Sequence, residues 1–149
     1  MWKRILVYFY EMFPLANWVG SFLGAVMVLN LAQRLGAHDV VIDLTVVKAG
    51  FAICLFTLLI RVMDEFKDYD DDLSNFPSRP LPSRRVRFSD LRFVGWSCVV
   101  VSIVLSLGHI PVLLACLAVL FYSFLMMKWF FQEQAIRKSL PLAFLSHHP

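Results

Sequence analysis

The chain has 149 residues, of which 59% are hydrophobic and 15% aromatic, and its formal net charge is +3. Soluble domains carry about 45–50% apolar residues on a comparable count, and a mean hydropathy of +0.68 argues against a water-soluble globule. The basic residues are divided among several segments, and one basic cluster faces an equal run of acid. That distribution excludes a nucleic-acid partner, which wants one continuous basic face.

The amino-terminal stretch "MWKRILVYFYEMFP" places Lys3 and Arg4 before an apolar run, with no small-residue cleavage site behind it. It therefore reads as retained rather than as a signal peptide. Met12 to Gln33 contains no charged residue, which predicts a first membrane span at roughly 13–33. Leu44 to Met63 makes a second of about 20 residues if Lys48 and Arg61 snorkel at the two interfaces. Phe93 to Met127 is also free of charge but too long for one crossing. "LGHIP" interrupts it, and Gly108 and Pro111 favour a turn there, so it divides into spans at roughly 92–108 and 110–131. The expected fold class is an all-α, polytopic membrane helix bundle with four transmembrane helices.

With the amino terminus cytoplasmic, twelve of the fourteen Lys and Arg residues lie inside and only Arg34 and Lys48 outside. The positive-inside rule selects that topology, with both ends of the chain cytoplasmic. Cys54, Cys98 and Cys116 each fall within an apolar run and read as small buried hydrophobes, not as a disulfide framework.

The long connection, from Arg61 to about Leu91, carries the chemistry. Six of the nine residues from Asp64 to Asp72 are acidic. If the helix continues through Asp72, then Asp64, Asp68 and Asp72 drift only about 40° per step and form one stripe. Glu65 lies at its edge, Arg61 and Asp71 lie on the same side, and Lys67 and Asp70 point away. Such a stripe is unfavourable alone, since like charges at i, i+4 cost roughly 0.2–0.5 kcal/mol per pair. A Mg²⁺ ion would compensate it, because that ion takes carboxylates together with substrate phosphates and waters. Arg79, Arg84, Arg85 and Arg87 follow, and arginine grips phosphate in a bidentate fork. Three prolines in "PSRPLP" predict an extended, stiff path between the two charge clusters. Acids for a metal and arginines for phosphate at a membrane surface point to a Mg²⁺–diphosphate site, with the apolar spans holding a lipid tail. The bland alternative is a solvated loop whose arginines only enforce topology.

"DEFKDYDDD" followed by "RPLPSRRV" resembles the first aspartate-rich motif and following loop of the UbiA superfamily of intramembrane prenyltransferases. Asp64, Glu65, Asp68 and Asp72 occupy the acidic positions of that motif, and Arg79, Pro80, Leu81, Pro82 and Ser83 the second element. Arg84 stands where glycine is common in the family, so the turn is expected to differ locally. The resemblance implies about nine helices, a prenyl diphosphate donor, Mg²⁺, and an acceptor that is often aromatic. It assigns Asp64, Asp68 and Asp72 to the metal and to catalysis, and Arg61, Glu65, Lys67, Arg79 and Arg85 to the substrate. Residues 1–149 then correspond to the amino-terminal half of such an enzyme, poorly active alone, since the second aspartate-rich motif has no counterpart here. The setting it implies is a bacterial inner membrane.

A rival class is a non-catalytic membrane protein whose acidic loop binds cations or a partner. The alcohol phosphotransferases, which also use aspartates at the membrane surface, need a D-G-x-x-A-R motif that this stretch lacks. Among the singletons, His109 reads as a turn residue, His147 and His148 as chain-end residues, and Trp2, Trp18, Trp96 and Trp129 as interfacial anchors. Tyr8 and Tyr122 read as packing residues, and Asn17 and Asn30 as polar groups facing a cavity or a neighbouring helix.

Overall fold

A computed structural model describes residues 1–36, 42, 44–108, 110–128, 136, 138, 139 and 141. His109, Trp129, Arg137, His147 and His148 lie outside the described residues. Six helices follow in order: α1 (Trp2–Met12), α2 (Leu15–Leu35), α3 (Leu44–Lys67), α4 (Tyr69–Asn75), α5 (Phe88–Ser106) and α6 (Ile110–Met127). Among the described residues the chain is all-helical, as expected, and α2, α3, α5 and α6 are each long and apolar enough to cross a membrane. The molecule is a multi-pass membrane protein by this measure.

The central helix is α3, flanked by α2 and α5, with α6 packed mainly on α5. Lipid tails are as apolar as leucine, so close packing, not the hydrophobic effect, joins helices inside a bilayer. Gly50 illustrates the point: a Cβ there would stand 2.6 Å from the Phe22 ring of α2. The turn between α5 and α6 uses Gly108 at φ +98°, a conformation that costs glycine little. On α2 only Ala25 is buried, and Leu23, Met27, Val28 and Leu31 are exposed, as suits a face turned to lipid.

The densest packing lies at one end of the bundle. Ile5, Tyr8 and Phe13 from the amino-terminal segment meet Leu58, Leu59 and Val62 of α3. Leu81 and Val86 of the loop and Leu91 and Val94 of α5 complete the cluster. Two ion pairs fasten α1 there. Arg4 donates two hydrogen bonds to Asp90, at 2.6 and 2.9 Å, and Asp90 also accepts from the Arg87 amide at 3.1 Å. Arg85 forms a two-pronged pair with Glu11, one arm of which measures 2.8 Å.

The amino-terminal segment forms a helix of its own: α1 ends at Met12, and Pro14, which cannot continue a helix, is the N-cap of α2. Two sequence expectations need correction. The acidic helix does not run straight through Asp72, because α3 ends at Lys67 and α4 begins at Tyr69. The Asp68 amide still donates to the Asp64 carbonyl, and the Asp72 amide to the Asp68 carbonyl, each at 2.8 Å, so the four-residue spacing survives the bend. The proline-rich stretch is not extended either. It folds into successive turns, with Ser83 N bonded to Arg79 O and Val86 N to Pro80 O. Proline's fixed φ suits the second position of a turn as well as it suits an extended strand.

Candidate functional site

The site forms where the carboxyl end of α3 meets α4, the turns that follow, and α1. Glu65 is its most deeply placed member, 1% exposed. Arg61, one turn earlier, donates to Glu65 Oε1 at 2.8 Å, while Glu65 Oε2 has no hydrogen-bond partner. The charges of Arg61, Asp72, Arg79 and Asp64 all act on Glu65.

Asp72 is the second buried acid. The folded "RPLPS" turns bring Arg79 back so that its Nη1 donates to Asp72 Oδ1 at 2.5 Å. The same guanidinium lies 4.1 Å from the centre of the Phe76 ring, a cation–π contact that keeps the fork oriented. Pro80, Leu81 and Pro82 are buried beneath, and Arg84 closes the turn at φ +60°. That is the left-handed conformation glycine adopts readily. A non-glycine residue carries strain in that conformation.

The structure gathers Arg61, Glu65, Asp72 and Arg79 into two ion pairs within one electrostatic neighbourhood, and the field of Asp64 reaches it. Asp64, Lys67 and Asp68 are half-buried, whereas Asp70 and Asp71 are exposed. Arg85 is directed elsewhere. Besides Glu11, it donates to the Ser78 carbonyl at 2.7 Å and to Ser83 Oγ at 3.1 Å, tying the turns to α1.

Sequence reasoning missed Tyr8. It is 0% exposed, its hydroxyl has no hydrogen-bond partner, and it lies within the fields of Glu65, Arg61 and Asp64. Burial, reinforced by the Glu65 carboxylate, holds the phenol well above the usual tyrosine range, so it remains a neutral donor. Ile5, Tyr8 and Met12 recur at helical spacing, which signals the packing role that Tyr8 has in the core but not its unmet hydroxyl. The Asn30 amide nitrogen donates within its own helix, to the Val26 carbonyl at 2.7 Å, while its Oδ1 is buried without a hydrogen-bond partner.

Among the described residues no three His, Cys, Asp or Glu side chains form a group able to hold a metal. A metal held wholly by protein ligands is therefore unsupported. The donor set instead combines isolated carboxylates with neighbouring arginines. That combination fits Mg²⁺ arriving with phosphate oxygens, because the ion typically uses only one or two carboxylates and keeps several waters.

A cavity of about 560 Å³ opens between α3, α5 and α6, lined by residues such as Val62, Phe66, Trp96, Leu120 and Phe124, with Arg92 at its edge. Its α3 residues (Leu59, Val62, Met63 and Phe66) lie roughly 180° around the helix from Arg61, Asp64 and Asp68. This groove is thus not continuous with the acidic face. The chain matches no protein-family model, no curated protein and no solved structure.

Proposed function

We propose that this chain carries the donor-binding half of a UbiA-like, Mg²⁺-dependent prenyltransferase site, which transfers a prenyl group from a prenyl diphosphate to an acceptor. The observation that carries the reading is the return of Arg79 onto Asp72 beside the Arg61–Glu65 pair. A loop that served only topology would have no reason to bury two carboxylates and deliver a guanidinium to each. Arg84 adds support, since a left-handed backbone appears where the resembled motif has glycine.

In this reading Asp64, Asp68 and Asp72 are the candidate metal ligands, of which one or two would hold Mg²⁺ while phosphate oxygens of the substrate complete its shell, and Arg61 and Arg79 bind the diphosphate. Lys67 contributes positive charge nearby. When bound, Mg²⁺ would neutralise charge building on the departing diphosphate. Arg61 and Arg79 do the same from fixed positions, which is worth most where water is excluded. Arg85 takes a supporting part, holding the turns against α1 through Glu11. The proposed orientation puts α1 and the acidic loop on the cytoplasmic side, in a bacterial inner membrane, from the charge asymmetry. The rival reading, a non-catalytic cation- or partner-binding loop, draws on the exposure of Asp70 and Asp71.

The test is Mg²⁺-dependent release of pyrophosphate from a labelled prenyl diphosphate by the native gene product in membranes, with and without an aromatic acceptor. Diphosphate binding and turnover support the enzyme. Cation binding that is indifferent to diphosphate supports the rival.

A further inference from the structure

The groove between α3, α5 and α6 belongs to the end of the bundle that carries the acidic loop. It is lined by the last turns of α3 and α6 and the first turns of α5. α6 packs mainly on α5, so a gap remains toward α3. Trp96 stands 69% exposed on the α5 wall, and Phe121 and Phe124 are exposed on the α6 wall. Any apolar groove in a membrane protein meets acyl chains, so the apolar lining by itself selects no ligand.

The charges at the mouth do select one. Arg92 lines the groove, and Arg92, Trp96 and Val99 follow at i, i+4 and i+7 on one face of α5. On α6, Phe121, Phe124 and Lys128 follow at i, i+3 and i+7, and the Lys128 amide still donates to the Phe124 carbonyl at 3.1 Å. Lys128 therefore ends the second wall on its groove face. Both cations are exposed, and among the described residues neither enters an ion pair. No acidic residue is among the described residues that line the groove, and the acid nearest to Arg92 in sequence, Asp90, is taken by Arg4. From the cations inward, to Val99 on α5 and Leu120 on α6, each wall runs roughly 10–12 Å. One leaflet of the hydrocarbon core is about 15 Å thick.

We propose that this groove binds one anionic phospholipid, its phosphate held by Arg92 and Lys128 and one acyl chain laid against Trp96, Phe121 and Phe124. Arginine takes a phosphate through two N–H groups at once, and basic pockets between membrane helices accept anionic head groups. A zwitterionic lipid fills the same groove but adds its own cation beside two others. A second copy of the chain fits poorly. A twofold axis along the membrane normal brings residues of equal depth together, so Arg92 and Lys128 would face their own copies. The site lies across α3 from Arg61, Asp64 and Asp68 and is independent of the diphosphate reading.

The probe is a pair of lipids with identical brominated acyl chains, one with a phosphatidylglycerol and one with a phosphatidylcholine head group. The full chain is reconstituted into phosphatidylcholine vesicles with increasing fractions of each, and quenching of tryptophan fluorescence is recorded. The part of the signal lost in Trp96→Phe reports on the groove. The expected result is an apparent affinity for phosphatidylglycerol about fivefold or more above that for phosphatidylcholine, the effect of a cation at a membrane surface. Arg92→Gln should reduce that preference and Arg92→Gln with Lys128→Gln should abolish it. Arg84→Gln, which removes an exposed cation away from the groove, should leave it unchanged. Equal quenching of the wild type by both lipids overturns the inference without recourse to any charge variant. Equal losses in Arg84→Gln and Arg92→Gln also overturn it, leaving only diffuse attraction to the basic loop. Trp96 shielded from both lipids in a cross-linkable dimer gives the groove to a second copy and overturns it. Relief of the phosphatidylglycerol quenching by an equimolar prenyl diphosphate overturns it in favour of a substrate tail.

Discussion

Arg79 and Asp72 lie seven residues apart, yet the turns between them place Nη1 2.5 Å from Oδ1. Asp72 is only 6% exposed, and a carboxylate buried to that degree needs a partner. The arginine is therefore already oriented before any ligand arrives, which lowers the ordering cost of binding.

Replacing Arg79 with alanine should weaken diphosphate binding by about 1.5–3 kcal/mol, the range for a charge-assisted hydrogen bond. It should also loosen the turns, because Asp72 loses its counter-charge and Phe76 its stacked cation. Arg84→Ala should leave diphosphate affinity nearly unchanged. Equal losses in a pyrophosphate titration of the two variants would defeat the residue-level assignment.

Arg84 offers a test of the backbone alone. It is the sole non-glycine with positive φ among the described residues, and an L-residue there carries roughly 1–2 kcal/mol of strain. Glycine relieves that strain, while its freer unfolded chain returns about 0.4–1 kcal/mol. Arg84→Gly should therefore raise the unfolding temperature modestly in detergent, whereas Arg84→Val, β-branched, should lower it. A lower unfolding temperature in the glycine variant would mean that the Arg84 side chain, not the turn, matters.

The four spans were legible because charge-free runs of this length have few other uses. The four-residue backbone spacing of Asp64, Asp68 and Asp72 survives the bend, but among the described residues no three carboxylates gather into a metal-holding group. What was hidden depends on contacts between segments distant in sequence. Nothing local to Arg85 indicates that it turns to Glu11, 74 residues away, or that Arg4 crosses 86 residues to Asp90. The proline-rich stretch misled for a different reason: Pro80 and Pro82 restrict φ to values shared by extended chain and turns, and burial of Leu81 and Val86 decides between them. Tyr8 was dismissed as packing because its distinguishing property is an unmet hydrogen bond, which only a three-dimensional neighbourhood reveals.

The Glu11–Arg85 pair makes the seating of α1 dependent on pH. Arg85 holds the Glu11 carboxyl below its ordinary value of 4.5. A depressed folded-state value means that the pair contributes fully above that ordinary value and is lost as pH falls through the folded one. Amide exchange in α1, corrected for its intrinsic pH dependence, should accelerate on acidification below the ordinary carboxylate range. Glu11→Gln should show faster exchange already at pH 7, and the acid response that remains in it should be that of the Arg4–Asp90 pair. An identical pH profile in both proteins would show that another group governs the seating of α1.

The ion pairs of α1 also constrain topology, since they put the amino-terminal segment at the same end of the bundle as the acidic loop. Single cysteines at Lys3 and Asn75, in a background lacking Cys54, Cys98 and Cys116, should be labelled by an impermeant maleimide from one side of the membrane. A cysteine at Leu107, in the α5–α6 turn, should be labelled from the other. Labelling of Asn75 and Leu107 from the same side would rule out the arrangement.

The acidic stripe itself gives the sharpest separation between site and solvated loop. Asp68 is half-buried at the bend between α3 and α4, and Asp70, two residues on, is exposed. Asn is nearly isosteric with Asp, so each substitution removes one charge with little change of shape. If only net loop charge matters, Asp68→Asn and Asp70→Asn are equivalent, because each makes the loop one unit less acidic. If the stripe holds Mg²⁺ with a diphosphate, Asp68→Asn removes a ligand charge, and Asp70→Asn removes one that faces water. Mg²⁺ is held weakly by few carboxylates until phosphate oxygens complete its shell, so the difference should appear only when both are present. The measurement is Mg²⁺-dependent pyrophosphate affinity, followed by prenyl transfer in the native gene product. Asp68→Asn should lose affinity about tenfold or more and suppress transfer, a change of about 1.4 kcal/mol or larger, with Asp70→Asn within twofold of wild type. Undiminished affinity and transfer in Asp68→Asn would reject the metal site.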